Sequence, residues 1–321
     1  MTAPESFETP PQPRNEAGEI RNVGIEIEFG GLDGKRTAEF LAEKLGGTFR
    51  QTDPYAYEVT GTALGDFEVM LDTSYAHYQS KSHKFLDEVG ARLANIVGAA
   101  AELVVPYEIV TPPVRLDRLH EIAELLHRLE KGGARGTEKS VFFAFGLHLN
   151  PETPSLKAEG IMPIAKAFAL MSPWLWRNID PDPTRRLLRF ADPYDPAYVR
   201  LIADPAYRPD LVRMIDDYLA YNPSRNHDLD MLPLFAFLDE RRVRSKLPNE
   251  KFNRRPTFHY RLPDAKLGDP AWSLAGEWNR WVAVERLAAD SERLAAAGQA
   301  YLAHSGGEES WAQDVAGFVG A

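Results

Sequence analysis

Residues 22–29 read Asn22-Val23-Gly24-Ile25-Glu26-Ile27-Glu28-Phe29. Apolar and polar side chains alternate here, and successive side chains of a strand point to opposite faces. The segment is therefore predicted to be a half-buried strand, with Ile25, Ile27 and Phe29 on one face and Glu26 and Glu28 on the other. Two carboxylates at this spacing stand roughly 6–7 Å apart. They repel each other unless a cation lies between them. A helix is expected over residues 36–45 (RTAEFLAEKL), closed by Gly46-Gly47 in the usual C-terminal glycine position.

Three segments further along the chain share the pattern. In Asp66–Asp72, Phe67, Val69 and Leu71 oppose Asp66, Glu68 and Asp72. In Ser140–Asn150, a stripe of Val141, Phe143, Phe145, Leu147 and Leu149 opposes Phe142, Ala144, Gly146, His148 and Asn150. In Thr257–Leu262, Phe258, Tyr260 and Leu262 oppose Thr257, His259 and Arg261. A solvated sheet face normally carries a mixture of Lys, Thr, Ser and Gln, whereas this one carries Glu-x-Glu, His-x-Asn and His-x-Arg. Ala144 and Gly146 are small enough to let a ligand approach. Oxygen-rich ligands with a neutral imidazole suit Mg²⁺ or Mn²⁺ better than zinc. Glu108, in a further strand expected over Val104–Val110, is a carboxylate that could join the same site.

The remaining elements set the fold class. Tyr55–Val59 is another expected strand, with GTALG (61–65) as the hairpin loop, and Thr111-Pro112-Pro113 stops the strand that holds Glu108. Helices are expected over Phe85–Glu102, over Leu116–Lys131, through most of 158–240 between proline clusters, and as one long element over Ala271–Leu302. Separate strands and hairpins with helices between them give an α+β fold with an antiparallel sheet. Residues 1–19 are acidic and proline-rich and are expected to be a flexible tail. Residues 20–305 are expected to form one domain with a helical insertion at about 158–245, and 306–321 a loose C-terminal tail.

Composition excludes several chemistries. The chain of 321 residues carries a net charge of −10 and is a poor general binder of nucleic acid or anionic membrane. It has no cysteine, which removes disulfides, thiolate metal sites, iron–sulfur clusters and a cysteine nucleophile. No apolar run of membrane-spanning length and no leader pattern is present, which fits a cytoplasmic location. Against this background residues 241–261 (RRVRSKLPNEKFNRRPTFHYR) hold six arginines and two lysines against Glu250. Arginine forks match phosphate oxygens. The same segment can equally be a solvated helix end paired with acidic neighbours. There is no Walker A sequence and no G-x-G-x-x-G after a strand, so a bound nucleotide would be held by metals and basic side chains.

GIEIEF (24–29), MLDTS (70–74), YEIVTPP (107–113), FGLHLNP (145–151) and TFHYR (257–261) resemble, in this order, the motifs of the amidoligase family. That family belongs to the carboxylate–amine ligases, with glutamine synthetase and glutamate–cysteine ligase as relatives. The resemblance implies a curved antiparallel sheet, helices on its other side, and a glutamine synthetase-like concave face holding ATP and Mg²⁺ (or Mn²⁺). It implies metal ligation by Glu26, Glu28, Glu108 and His148, and a γ-phosphate contact by Arg261. Asp72, beside Ser74, would orient or deprotonate the amine. With the basic segment, the nucleotide contacts expected are His148, Asn150, Arg255 and Arg261. The family pattern T-x-E-x-R reads Thr257-Phe258-His259-Tyr260-Arg261 here, so His259 stands where a carboxylate ligand is expected. The substrates implied are small-molecule, peptide or protein carboxylates and amines, and an oligomer is compatible with the sequence. Three functions remain open at this point: an ATP-dependent ligase, a two-metal phosphoesterase, and a non-catalytic nucleotide-binding scaffold of the same fold.

Overall fold

The computed structural model of the chain describes residues 3, 5–71, 106–136, 145–181 and 191–319. Asp72, the expected helix over Phe85–Glu102 and the start of the strand at Ser140 lie outside the described residues.

The opening strand forms where its alternation places it. β1 (Asn22–Phe29) buries Val23, Ile25, Ile27 and Phe29 completely. The following strands are β2 (Thr48–Asp53), β3 (Ala56–Thr62), β4 (Gly65–Leu71), β5 (Tyr107–Val110), β6 (Val114–Arg115), β7 (Leu147–Pro151), β8 (Leu229–Asp230) and β9 (His259–Tyr260). Among the described residues they form one open sheet in the order β2-β3-β4-β5-β1-β7-β9-β8, with β6 also beside β1. Every pairing is antiparallel. The architecture is thus mixed helix and antiparallel sheet, as the sequence suggests. β1, first in the chain, lies inside the sheet, between β5 and β7.

Register decides what the polar face displays. Glu28 lies opposite Glu108 on β5, and Glu26 lies opposite His148 on β7. Leu149 pairs with Tyr260, and Asp230 pairs with His259. The apolar face is covered by helices. α1 (Gly34–Leu45) packs on β2, β3 and β4. Asp33 caps its first turn, and Gly46 and Gly47 close it with positive φ. A Cβ on Gly47 would come within 2.4 Å of the Thr60 carbonyl oxygen, so only glycine fits. α2 (Leu119–Lys131) buries its amphipathic face and ends at Gly132. α3 (Ala158–Ile179) brings Phe168 against Tyr260, whose ring also meets Trp281 on α7 (Leu274–Ala289). Trp278 and Trp281 are buried. Between α3 and α7 lie α4 (Pro196–Ala203), α5 (Leu211–Tyr221) and α6 (Leu232–Lys246). No helix among the described residues is long and apolar enough to cross a membrane.

Four expectations are corrected. The long helix over Ala271–Leu302 breaks at Asp290, whose extended backbone lets its carboxylate accept from Arg293 N and start α8 (Ser291–Ala303). The strand expected over Thr257–Leu262 narrows to two residues plus a bridge from Thr257 to Glu152. The tail at residues 306–321 contains α9 (Glu308–Val319), which buries Trp311 and Val315 and donates the indole N–H to the Leu170 carbonyl at 2.8 Å. The N-terminal segment lies along the body: Trp278 Nε1 donates to Glu8 O at 2.8 Å, and Arg21 Nη1 donates to Gln12 O at 2.7 Å. Phe7 packs against the core. Proline-rich composition suggested a tail, but each of these contacts supplies a partner to a buried donor on the body, which composition does not reveal.

Candidate functional site

Glu26 is the hub of the polar face. Its neighbours follow from sheet register, since His148 is its cross-strand partner and Asn150 lies two residues further along the same face of β7. Asn150 Nδ2 donates to Glu26 Oε1 at 2.9 Å, and His148 Nδ1 lies 2.9 Å from Oε2. Arg255, in the loop between α6 and β9, donates from Nη2 to Glu26 Oε1 at 3.1 Å and to Asn150 Oδ1 at 2.7 Å. His259 completes the cluster, with Nε2 3.7 Å from Glu26 Oε2 and its ring edge-on to His148 at 5.2 Å.

The electrostatics follow from this packing. Burial pushes the Glu26 carboxyl up, but the hydrogen bond with His148 and the nearby His259 imidazole together outweigh it and hold the group well below the usual carboxylate range. Burial pushes the His148 imidazole down to about 3, against the pull of Glu26. An ionised carboxylate therefore sits beside a neutral imidazole, which is the protonation state a metal ion needs from both. Behind His259 lies Asp230, completely buried, with Oδ2 3.4 Å from His259 Nδ1. Burial pushes the Asp230 carboxyl up, but the contact with His259, the Arg261 charge and the Leu232 N–H together more than offset it, so the group stays ionised.

Glu26, His148 and His259 each offer a ligand atom within 4.8 Å of the others. His259 Nε2 is buried and has no hydrogen-bond partner. A buried nitrogen lone pair without a donor costs free energy unless something fills the position, so the donor set fits a metal ion. Glu28 and Glu108 stand side by side across β1 and β5, and Glu28 accepts from Gly146 N at 2.7 Å. They share the polar face with Glu26 but do not belong to the three-residue cluster. Arg261 follows β9 and adjoins His148, its N–H donating to Asp228 O and its guanidinium to the Arg225 carbonyl.

The basic segment divides. Arg242 pairs with Asp216 and Asp239, Arg254 pairs with Glu240, and Arg244 reaches the Glu250 carbonyl while stacking on Phe252. These follow the ion-paired reading, whereas Arg255 and Arg261 face the Glu26 cluster. His120 and His127 lie on the exposed surface of α2. Asp230 and Arg225, whose Nε lies 3.8 Å from Asp230 Oδ2, were missed by sequence reasoning. Their only signal is the short alternation Asn226-His227-Asp228-Leu229-Asp230 inside a stretch read as helical.

A family model described as "putative amidoligase enzyme" matches residues 19–283. The match spans most of the chain, including every described strand and all the residues gathered around Glu26, and the chain belongs to this family. No curated protein and no solved structure matches it.

Proposed function

We propose that this chain is an ATP- and Mg²⁺-dependent carboxylate–amine ligase whose reaction centre is the Glu26 face, in a glutamine synthetase-like arrangement. The observation that supports this most is the convergence of Glu26, His148, His259, Asn150 and Arg255 on one sheet face of an amidoligase-family chain. In this reading a substrate carboxylate oxygen attacks the γ-phosphorus of ATP, giving an acyl phosphate and ADP. An amine nitrogen then attacks the acyl carbon, a proton leaves the nitrogen, and phosphate departs. Glu26, His148 and His259 would hold a divalent ion, which supplies charge neutralisation for phosphate oxygens. Arg255 and Arg261 approach the same space as cationic forks suited to phosphate. Glu28 and Glu108 form the next carboxylate pair along the face, and Asp72 remains the candidate for handling the amine.

The test is phosphate and ADP release from Mg·ATP, with and without pooled amino acids and peptides, with mass spectrometry for a new amide. Substrate-dependent turnover is expected, and Arg261→Ala should lower kcat roughly a hundredfold or more, as loss of a transition-state donor does. ATP analogue binding with no turnover in any pool would support the scaffold reading instead, which the imidazole at His259 favours. The same face with neither nucleotide binding nor turnover would remove both.

A further inference from the structure

We infer that the Glu26–His148–His259 centre selects a nitrogen-preferring first-row transition ion, such as Zn²⁺, Co²⁺ or Fe²⁺, over Mg²⁺. The inference rests on the ligase reading only for its catalytic meaning, in which Mg²⁺ enters with ATP and this centre holds a separate ion, and the donor atoms argue it without any nucleotide. Two of the three ligating side chains are imidazoles and one is a carboxylate. Mg²⁺ prefers oxygen and relies on negative charge to offset dehydration, while imidazole nitrogen favours later first-row ions. The charge available is small: Glu26 is the cluster's one anion, and one of its oxygens is already engaged by Asn150 and Arg255. A single oxygen, Oε2, is left facing both imidazoles, at 2.9 Å from His148 Nδ1 and 3.7 Å from His259 Nε2. Atoms bound to one ion at about 2.1 Å stand about 3.0–3.4 Å apart, so these separations need only small adjustments.

The support behind the cluster points the same way. Asp230 Oδ2 lies at 3.4 Å from His259 Nδ1, on the far side of the ring from Glu26. A carboxylate in that position fixes the tautomer with the proton on Nδ1, turns the Nε2 lone pair inward and raises its basicity. Asp230 is completely buried and sits on β8 directly opposite His259 in register, so the pairing is built into the sheet. A buried carboxylate, a histidine and an orphaned inward nitrogen form a ligand with its own orienting group. Sheet pairing alone does not require that set.

The experiment uses the full chain, stripped with chelator, and the metals alone without nucleotide. Binding of Zn²⁺, Co²⁺, Mn²⁺ and Mg²⁺ is followed by calorimetry, and Co²⁺ additionally by its visible absorption. We expect one equivalent of Zn²⁺ or Co²⁺ bound at least about 100-fold tighter than Mg²⁺, following the ligand preferences above. Asp230→Asn should weaken Co²⁺ about 10–100-fold, as loss of an orienting partner does, and change its spectrum. His259→Glu should narrow the preference over Mg²⁺ by tenfold or more. Circular dichroism identifies any variant that fails to fold, and Asp230→Asn keeps the test alive if His259→Glu does. His304, which meets Asp314 at 3.1 Å elsewhere, provides a control, and His304→Gln should leave binding unchanged. Equal affinity for Mg²⁺ and Co²⁺ in the parent chain overturns the inference. So does tight Co²⁺ binding that survives both site variants. Selective metal binding without ligase turnover would count against the proposed function alone, and ligase turnover with Mg²⁺-selective binding would count against this inference alone.

Discussion

Glu285→Gln tests how the ends of the site strands are held. Arg21, the residue before β1, is completely buried, and so is Glu285 on α7. The guanidinium donates to both carboxylate oxygens, at 2.8 and 2.7 Å. It also donates from Nε to the Glu152 carbonyl, just past β7, at 2.7 Å, and to Gln12 O. Trp281 Nε1 adds a further donor to Glu285 at 2.7 Å. One ion pair thus ties the start of the Glu26 strand to the end of the His148 strand and both to α7. Replacing Glu285 by glutamine keeps the shape but leaves the guanidinium with no counter-charge. Two charge-assisted hydrogen bonds are weakened, each contributing about 1.5–3 kcal/mol. Breaking a buried pair from one side costs about 3–5 kcal/mol, and we expect a loss in that range. At about 2 cal/mol/K per residue of unfolding entropy, Tm should fall by roughly 4–8 °C. Urea unfolding followed by tryptophan fluorescence gives the free energy directly. The double variant Arg21→Met/Glu285→Leu removes both charges and should be closer to the parent than Glu285→Gln is. A single-variant loss below about 1 kcal/mol, or a double variant worse than the single one, would refute the reasoning, because a buried guanidinium would then be tolerated alone.

Three further predictions follow from buried groups elsewhere. Burial pushes the Asp228 carboxyl up to about 7, against hydrogen bonds from Ser172 Oγ at 2.6 Å and Trp176 Nε1. Between about pH 4 and pH 7 the folded chain keeps a proton that the unfolded chain has lost, so stability falls as pH rises through that window and levels off above it. Melting curves should show Asp228→Asn gaining on the parent from pH 4 to 7 and then holding a constant lead; a pH-independent gap would remove Asp228 as the titrating group. Deleting residues 1–12 strips acceptors from the Trp278 indole and the Arg21 guanidinium and should cost about 2–6 kcal/mol, at about 1–3 kcal/mol per orphaned buried donor; unchanged urea unfolding would show that the segment does not dock. Trp311→Ala should cost about 3–5 kcal/mol, as large-to-small changes at buried aromatics do, and a loss under 1 kcal/mol would place α9 outside the packed core.

What the sequence made legible was the part governed by local periodicity. The alternation in Asn22–Phe29 placed Glu26 on the polar face, the cross-strand partner His148 with Asn150 came from a second alternating segment, and His259 from a third, so these candidate site residues could be read from pattern alone. β2 was not legible, because Thr48–Asp53 is a largely exposed edge strand without an apolar stripe. β8 was not legible because two residues cannot display a period, and Asp230 was lost with it. Arg255 was picked out by charge density, but charge density could not separate it from Arg242 and Arg254, whose partners lie far off in sequence or on the next turn. The break at Asp290 and the docking of Trp311 depend on hydrogen bonds whose acceptors composition does not disclose. The amidoligase motifs located the site face, while the packing of Asp230 behind His259 emerged only from tertiary structure.

The interior position of β1 has a consequence for biosynthesis. This strand leaves the ribosome well before either neighbour: β5 begins at Tyr107 and β7 at Leu147. At about 5–20 residues per second, both of its edges wait on the order of ten seconds for their partners. A segment with Val23, Ile25, Ile27 and Phe29 on one face and open edges on both sides is prone to pair with other nascent chains. Glu26 and Glu28 supply the like charge that discourages such stacking. Like charges at these two positions are the kind of gatekeeper that keeps such a strand solitary until its own partners emerge.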